Sequence, residues 1–152
     1  MEELLLGLDY EILQKGKTEI EFKGMEYDSR KIKDGDIFVA LEGSISDGHK
    51  YIKQAIENGA KGVLVSKKVE PEFPVEYILV KDLRKNLGKI ASNFYGYPQK
   101  KLKIIGITGT NGKTTSTYLL ESILGKEKVA RIGTVEYKIG DEVEVVFPFV
   151  PV

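Results

Sequence analysis

The chain has 152 residues, with 23 basic and 23 acidic side chains and a formal net charge of +0. At 41% apolar and 30% charged it can form one ordinary domain or two small ones, and without a basic excess it is no general polyanion binder. It has no cysteine and one histidine, which excludes disulfide frameworks, thiol catalysis, Cys-based zinc sites and His-rich metal sites.

The N-terminal MEELLLGLDY places acidic residues before a short apolar run, the opposite of a signal peptide. No stretch reaches the roughly 18 apolar residues of a membrane span. The expectation is a soluble, cytoplasmic chain with no membrane and no nucleic-acid partner. DIFVAL (36–41) reads as a buried strand. HKYIKQAIENGA (49–60) sets Tyr51, Ile52, Ala55 and Ile56 at helical spacing, with Gly59 as the stop. GVLVS (62–66) and YILV (77–80) are further strands, separated by the two prolines of PEFPVE. LRKNLGKIASNFYGY repeats Leu83, Leu87, Ile90, Ala91 and Phe94 as one helix face, ending near Gly96 and Pro98.

Glycine, proline and two lysines then interrupt the pattern, which places a domain boundary between 1–99 and 100–152. KLKIIGIT (101–108) reads as a new strand. A helix follows the glycine loop and ends at Gly125. KVARIGTVEYKIG reads as one or two strands, and Gly140-Asp141 as a hairpin turn into EVEVVF. The β-α-β alternation predicts an α/β fold with at least partly parallel sheets, in two parts: a small N-terminal α/β domain and a second α/β segment.

GITGTNGKTT (106–115) is the segment richest in chemistry. Gly109 and Gly112 let backbone N–H groups turn inward without a Cβ in the way. The following helix aims its positive end at the same spot. Lys113 can reach β- and γ-phosphates, and the Thr114 hydroxyl can ligate Mg²⁺. Charge-assisted hydrogen bonds of this kind contribute roughly 1.5–3 kcal/mol each. The general G-x-x-x-x-G-K-[ST] pattern wants a glycine where this chain has Ile107. The plain alternative is a strand-to-helix turn with a capping threonine, which does not call for Gly-Lys-Thr-Thr.

YDSRKIKDGDIFVALEGSISDGHKYIKQAIENGAKGVLVS (27–66) is the second such segment. It combines an Asp-Ser-Arg turn, a buried strand, a glycine/serine loop and an Asp-Gly turn before a helix. Loops of this kind bind ligands through hydroxyls and N–H groups, but Asp28, Ser29 and Arg30 serve equally well as a solvated turn. A lone histidine opening a helix, His49, reads as a cap or packing residue.

The glycine loop resembles the ATP loop of the Mur ligases, the cytoplasmic amino-acid ligases of peptidoglycan synthesis. The segment D-S-R-x-I-x-x-G-x-I-F-x-A, followed by Asp47-Gly48-His49, is similar to the uridine-nucleotide-binding domain of the family's E and F types. The resemblance spans about residues 20–142. It implies an ATP site at Gly109, Thr110, Asn111, Gly112, Lys113, Thr114 and Thr115, with Lys113 neutralising charge on the transferring phosphoryl group and Thr114 holding Mg²⁺. It also implies that Tyr27 and Ser29 contact the UDP part of the substrate and that Ser44, Ile45 and Ser46 lie over its pyrophosphate or uridine. Asp47, Gly48 and His49 read as an architectural turn.

Thr-Gly-Thr-Asn-Gly-Lys-Thr and RIGTVEYKIGDE (131–142) favour the E type; F-type loops more often read Gly-Ser-x-Gly-Lys-Thr. An E type joins an amino acid to UDP-N-acetylmuramoyl-L-alanyl-D-glutamate through an acyl phosphate. The expected assembly is a monomer. VEVVFPFVPV (143–152) stands where Asn-Thr-Thr-Pro is expected. The chain is therefore expected to be the N-terminal part of such an enzyme, unable to complete the reaction alone. An F-type fragment and a uridine-nucleotide-binding module without catalysis are the alternatives, with a different P-loop NTPase disfavoured by the loop spacing.

Overall fold

The computed structural model describes residues 3–16, 21–43, 46–134 and 136–145. The chain divides into two compact units, residues 1–102 and 103–152.

Unit 1 is a five-stranded sheet with helices against it. Its strands are β1 (Tyr10–Gln14), β2 (Met25–Glu26), β3 (Ile37–Ala40), β4 (Gly62–Val65) and β5 (Glu76–Val80), in the order β1-β5-β4-β3-β2. β2, β3, β4 and β5 are parallel to their neighbours, and β1 runs antiparallel along the edge of β5. A 3₁₀ turn (Gly48–Tyr51) leads into helix α1 (Ile52–Glu57), and α2 spans Leu83–Phe94.

The central strands are apolar throughout because both sheet faces are covered. Alternate residues serve opposite faces. Ile37, Val39, Leu64, Ile78 and Val80 pack with Leu83 and Ile90 of α2 and with Leu4 and Leu5. Phe38, Ala40, Val63, Val65 and Tyr77 pack with Ile52 and Ala55 of α1. Each such fully buried aliphatic or Phe side chain contributes about 1.5–3 kcal/mol. Gly59 stops α1 with φ +114°; a Cβ there would stand 2.8 Å from Asp34 Cα. The predicted helix over 49–60 is thus shorter, a 3₁₀ turn and then a short α-helix.

Unit 2 contains α3 (Lys113–Leu124) and an antiparallel sheet of β6 (Ala130–Ile132), β7 (Glu136–Ile139) and β8 (Glu142–Val145), in that order. Ile139 pairs with Glu142 across the predicted two-residue turn, with Gly140 at φ +60° as its first position. The strand expected over 101–108 is not formed. Pro98–Lys101 is a 3₁₀ turn, and residues 103–108 carry no regular structure. A strand exists only through its ladder, and no described strand of unit 2 pairs with this segment. Ile104 and Ile105 are accordingly exposed.

Among the described residues, every buried apolar side chain lies between Leu4 and Ile90. Among the described residues of unit 2 the buried side chains are instead Glu121 and Arg131. Arg131 Nε donates to Glu121 Oε2 (3.0 Å), and its Nη2 pairs with Glu136 Oε1. Lys138 Nζ donates to Glu121 Oε1 (2.6 Å). The Arg131 guanidinium stacks 3.7 Å above the Tyr118 ring. This cluster joins α3 to β6 and β7. Hydrogen bonds from Lys138 and Arg131 hold the Glu121 carboxyl below its usual range.

Candidate functional site

The glycine loop opens α3. Gly112 occupies the helix N-cap with φ +75°, and Gly109 has φ +148°. Both values lie where only glycine sits without strain. No side chain caps the helix. Its first backbone bond runs from Ser116 N–H to the Gly112 carbonyl (2.8 Å). The N–H groups of Lys113, Thr114 and Thr115 precede that bond and are the donors a helix leaves open at its start.

Lys113 curls back over the loop. Its Nζ donates to the Gly109 carbonyl at 2.6 Å and approaches the Thr110 carbonyl at 3.5 Å. One ammonium is therefore anchored beside three backbone donors, and the whole loop is exposed. Among the described residues the Thr114 hydroxyl has no intramolecular partner; its carbonyl accepts from Thr117 Oγ1 (2.7 Å). Thr110, Asn111 and Thr115 lie on the same loop and first helical turn. No group of three or more His, Asp or Glu side chains among the described residues forms a metal cage. A divalent cation here would therefore be held as Mg²⁺ commonly is, by one hydroxyl together with phosphate oxygens and water. Thr114 is suited to that role.

In unit 1, ligand-type residues lie on loops leaving the carboxyl ends of the parallel strands, where open α/β sheets bind ligands. Tyr27 to Arg30 follow β2, residues 41–43 and 46–49 follow β3, and Ser66 and Lys67 follow β4. Tyr27 is half exposed. Its N–H and that of Asp28 both donate to Glu26 Oε1 (2.8 and 3.0 Å). Ser29 is 6% exposed. Its hydroxyl donates to Gln54 Oε1 (2.7 Å), and its carbonyl accepts from Asn58 Nδ2 (2.8 Å), so it fastens the turn to α1. Arg30 grips Asp28 through two bonds of 2.9 Å. The hydrogen bond from Arg30 outweighs burial and holds the Asp28 carboxyl below its usual range.

Ser44 and Ile45 lie outside the described residues. Ser46 closes the loop: its carbonyl accepts from Gly43 N–H (2.8 Å), and its hydroxyl lies 3.3 Å from Tyr51 Oη. Asp47 caps the 3₁₀ turn by accepting from His49 N–H (3.0 Å). The His49 ring is buried between two partners. Nδ1–H donates to Asp47 Oδ1 (2.6 Å), and Nε2 accepts from Ser66 N–H (3.2 Å). Lys67 Nζ donates to Asp47 Oδ2. Burial opposes ionisation of Asp47, but the bonds from Lys67 and His49 prevail and hold its carboxyl well below the usual range. Gly48 has to be glycine for a different reason, since a Cβ there would meet Leu41 O at 2.7 Å. The Asp-Gly-His turn is thus structural, as its sequence indicated. Gln54, Asn58 and Ser66 complete the support, and nothing in their local sequence announced it.

The description "Mur ligase family, catalytic domain" matches residues 21–95, and "Mur ligase middle domain" matches residues 107–148. The chain belongs to the Mur ligase family. Members of this family are ATP-dependent ligases that form amide bonds. Its Mur ligase relatives include the UDP-N-acetylmuramoyl-L-alanyl-D-glutamate–2,6-diaminopimelate ligase of Fusobacterium nucleatum. That protein is 57% identical over 137 residues, covering 90% of this chain and 28% of the relative. The enzyme of the same name from Clostridium tetani is 49% identical over 146 residues, covering 93% of this chain and 30% of the relative. A crystal structure of the MurF ligase from Thermotoga maritima in complex with ADP superposes with a TM-score of 0.55 at 28% identity, covering 78% of this chain and 25% of that one. The chain therefore spans less than a third of the length of the curated Mur ligases it matches. The predominance of the diaminopimelate ligase name among them agrees with the E-type reading of the loop.

Proposed function

We propose that the chain carries the UDP-substrate domain and the ATP loop of a ligase that adds the third amino acid to UDP-N-acetylmuramoyl-L-alanyl-D-glutamate. Residues 1–99 form the substrate domain, and 100–152 open the ATP-binding domain. The observation that carries this reading is Lys113 fixed over the Gly109 carbonyl at the uncapped head of α3.

Gly109, Thr110, Asn111, Gly112, Lys113, Thr114 and Thr115 hold the triphosphate. Their backbone N–H groups and the Lys113 ammonium converge on one acceptor-rich group. Thr114 supplies the protein ligand to Mg²⁺. Bound ATP supplies the phosphoryl group that activates the substrate carboxylate. The protein's part is positioning and charge neutralisation, with Lys113 as the fixed positive charge. Tyr27, Ser29, Ser44, Ile45 and Ser46 receive the UDP part. Of the described members, Ser29 acts by holding the turn to α1, and Tyr27 is placed to meet the ligand. The protein works in the cytoplasm as a monomer, on soluble substrates, without a membrane or nucleic-acid partner. Among the described residues no helix is long and apolar enough to cross a membrane.

Isothermal titration tests both halves. The chain is expected to bind UDP-N-acetylmuramoyl-L-alanyl-D-glutamate and, separately, Mg-ATP, with little or no ATP turnover. Lys113→Ala is expected to weaken Mg-ATP binding at least tenfold and leave UDP-substrate binding unchanged. Absence of heat with the UDP substrate overturns the substrate-domain assignment. Equal Mg-ATP affinity in Lys113→Ala overturns the role of the loop.

A further inference from the structure

Whole-chain neutrality conceals an uneven distribution of charge. Between residues 81 and 103 there are seven lysines and arginines against one acid, Asp82. Part of this basic stretch lines an open cleft of about 530 Å³ between α2 and the turn at Leu6–Gly7, within unit 1. That volume falls in the range of small-molecule sites, roughly 300–1,000 Å³. The cleft runs beside the middle and C-terminal end of α2.

Two backbone features mark the cleft. Gly88 lies in the interior of α2, where glycine costs about 1 kcal/mol relative to alanine. A Cβ at Gly88 would meet nothing within 4 Å, so no close packing demands glycine there. Its effect is to keep the cleft wall bare. Tyr97, on the rim, has φ +59° and ψ +49°, a conformation unusual for a bulky residue. Its N–H donates to the Ser92 carbonyl (2.8 Å) and its carbonyl accepts from Lys100 N–H (3.0 Å), so the turn that ends α2 holds Tyr97 on the rim.

The polar groups facing the cleft have a definite donor pattern. Lys89 Nζ is anchored on the Gly7 carbonyl (2.6 Å), which leaves it two further hydrogens. Lys100 Nζ is held 4.2 Å from the Tyr97 ring centroid. Among the described residues neither lysine has a carboxylate partner. Ser92 Oγ accepts from Gln99 Nε2 (2.6 Å), so its own hydrogen is free to donate. Asn93 spends its NH₂ on the Leu4 and Leu6 carbonyls (3.0 and 3.2 Å), which leaves Oδ1 as an acceptor. Two ammonium groups and a hydroxyl donor suit a phosphate. The Asn93 and Gln99 carbonyl oxygens suit hydroxyls, and the Tyr97 ring suits the apolar face of a sugar.

We infer that this cleft is a second binding site, for a small phosphate ester bearing sugar hydroxyls. A free sugar phosphate and a nucleoside monophosphate share that chemistry. The test is an ¹⁵N NMR titration of the full chain with glucose 6-phosphate, UMP and inorganic phosphate in parallel. Glucose 6-phosphate is expected to shift the amides of Gly88, Lys89, Ser92 and Tyr97 while leaving Asp28, Ser29 and Asp47 to His49 unmoved. Inorganic phosphate is expected to bind at least tenfold more weakly. Shifts at the cleft with UMP alone would assign the nucleoside source, and shifts with both esters the shared group. Gly88→Leu fills the cleft on an exposed helix face, so it is expected to weaken binding at least tenfold with an unchanged or higher unfolding temperature. No cleft shifts at 10-fold excess over a ~1 mM affinity limit, equal affinity for inorganic phosphate, or unimpaired binding by Gly88→Leu each overturn the inference. Because glucose 6-phosphate lacks uracil and the two sets of amides report separately, this result is independent of the UDP-substrate reading.

Discussion

Replacing His49 with alanine tests how the loop after β3 is held. The ring is a bridge between Asp47 and the backbone of Ser66, and its side chain is 6% exposed. The substitution removes the 2.6 Å bond to the Asp47 carboxylate and leaves the Ser66 N–H without its acceptor. A hydrogen bond to a charged group contributes about 1.5–3 kcal/mol, and an orphaned donor costs about 1–3 kcal/mol. Lys67 still pairs with Asp47, and Ser66 is only half buried, so water recovers part of the loss. The expected destabilisation is about 2–4 kcal/mol. Native-state hydrogen exchange on the full chain reads it site by site. Amides of Val63, Leu64 and Ile78 report the global opening of unit 1, and Ser66 N–H reports the local one. A loss below about 0.5 kcal/mol at the core amides, with Ser66 as protected as in the parent, refutes the bridge.

Gly48→Ala places a Cβ 2.7 Å from Leu41 O and 2.9 Å from Leu41 N, backbone atoms with no freedom to retreat. It is expected to lose about 1–3 kcal/mol in thermal unfolding. The Asp47 and Asp28 carboxyls are held below their ordinary range, so they bind fewer protons folded than unfolded at mildly acidic pH. Their stabilisation is complete above the unfolded carboxylate value of about 4 and is lost as pH falls below it. Unit 1 is expected to keep its unfolding midpoint from neutrality to about pH 5 and lose stability below that, with a shallower decline in Asp47→Asn. Glu121→Gln leaves Arg131 without one carboxylate and Lys138 without its own, so exchange protection of the β6 and β7 amides is expected to fall while that of β3 and β4 stays. Removing residues 103–152 is expected to leave a cooperatively folding unit 1, because its apolar core draws on no residue beyond Phe94; a non-cooperative melt refutes that independence.

The sequence was readable where structure is local. Ile37–Ala40, Gly62–Val65 and Glu76–Val80 appear as apolar runs because both their faces are covered, and α2 appears through Leu83, Leu87 and Ile90. β1 left no comparable signal. It is an edge strand whose Tyr10 and Ile12 remain partly exposed, and its register is interrupted between Ile12 and Gln14. Leu4 and Leu5 belong to a short N-terminal apolar run with no periodicity to place it, yet they close one face of the core. KLKIIGIT has strand composition, but composition cannot provide the neighbouring strands a ladder needs.

The glycine loop was fully visible because its donors, its lysine and its hydroxyl are contiguous in the chain. The supports of Ser29 and His49 were not, since Gln54, Asn58 and Ser66 stand 25, 29 and 17 residues from the groups they bind. Glu121, Arg131 and Lys138 likewise carry no sequence mark of a cluster until the fold brings them together.

That cluster bears on how heat acts on the molecule. The heat-capacity change of unfolding comes from newly wetted apolar surface, while polar exposure lowers it. Unit 1, built on leucine, isoleucine and valine, carries the increment expected for its size. The described part of unit 2, whose buried side chains are Glu121 and Arg131, adds very little. Calorimetry on this chain should therefore show one strongly curved stability profile and one nearly straight one. The helix that bears the glycine loop belongs to the straight profile, so cooling costs it little.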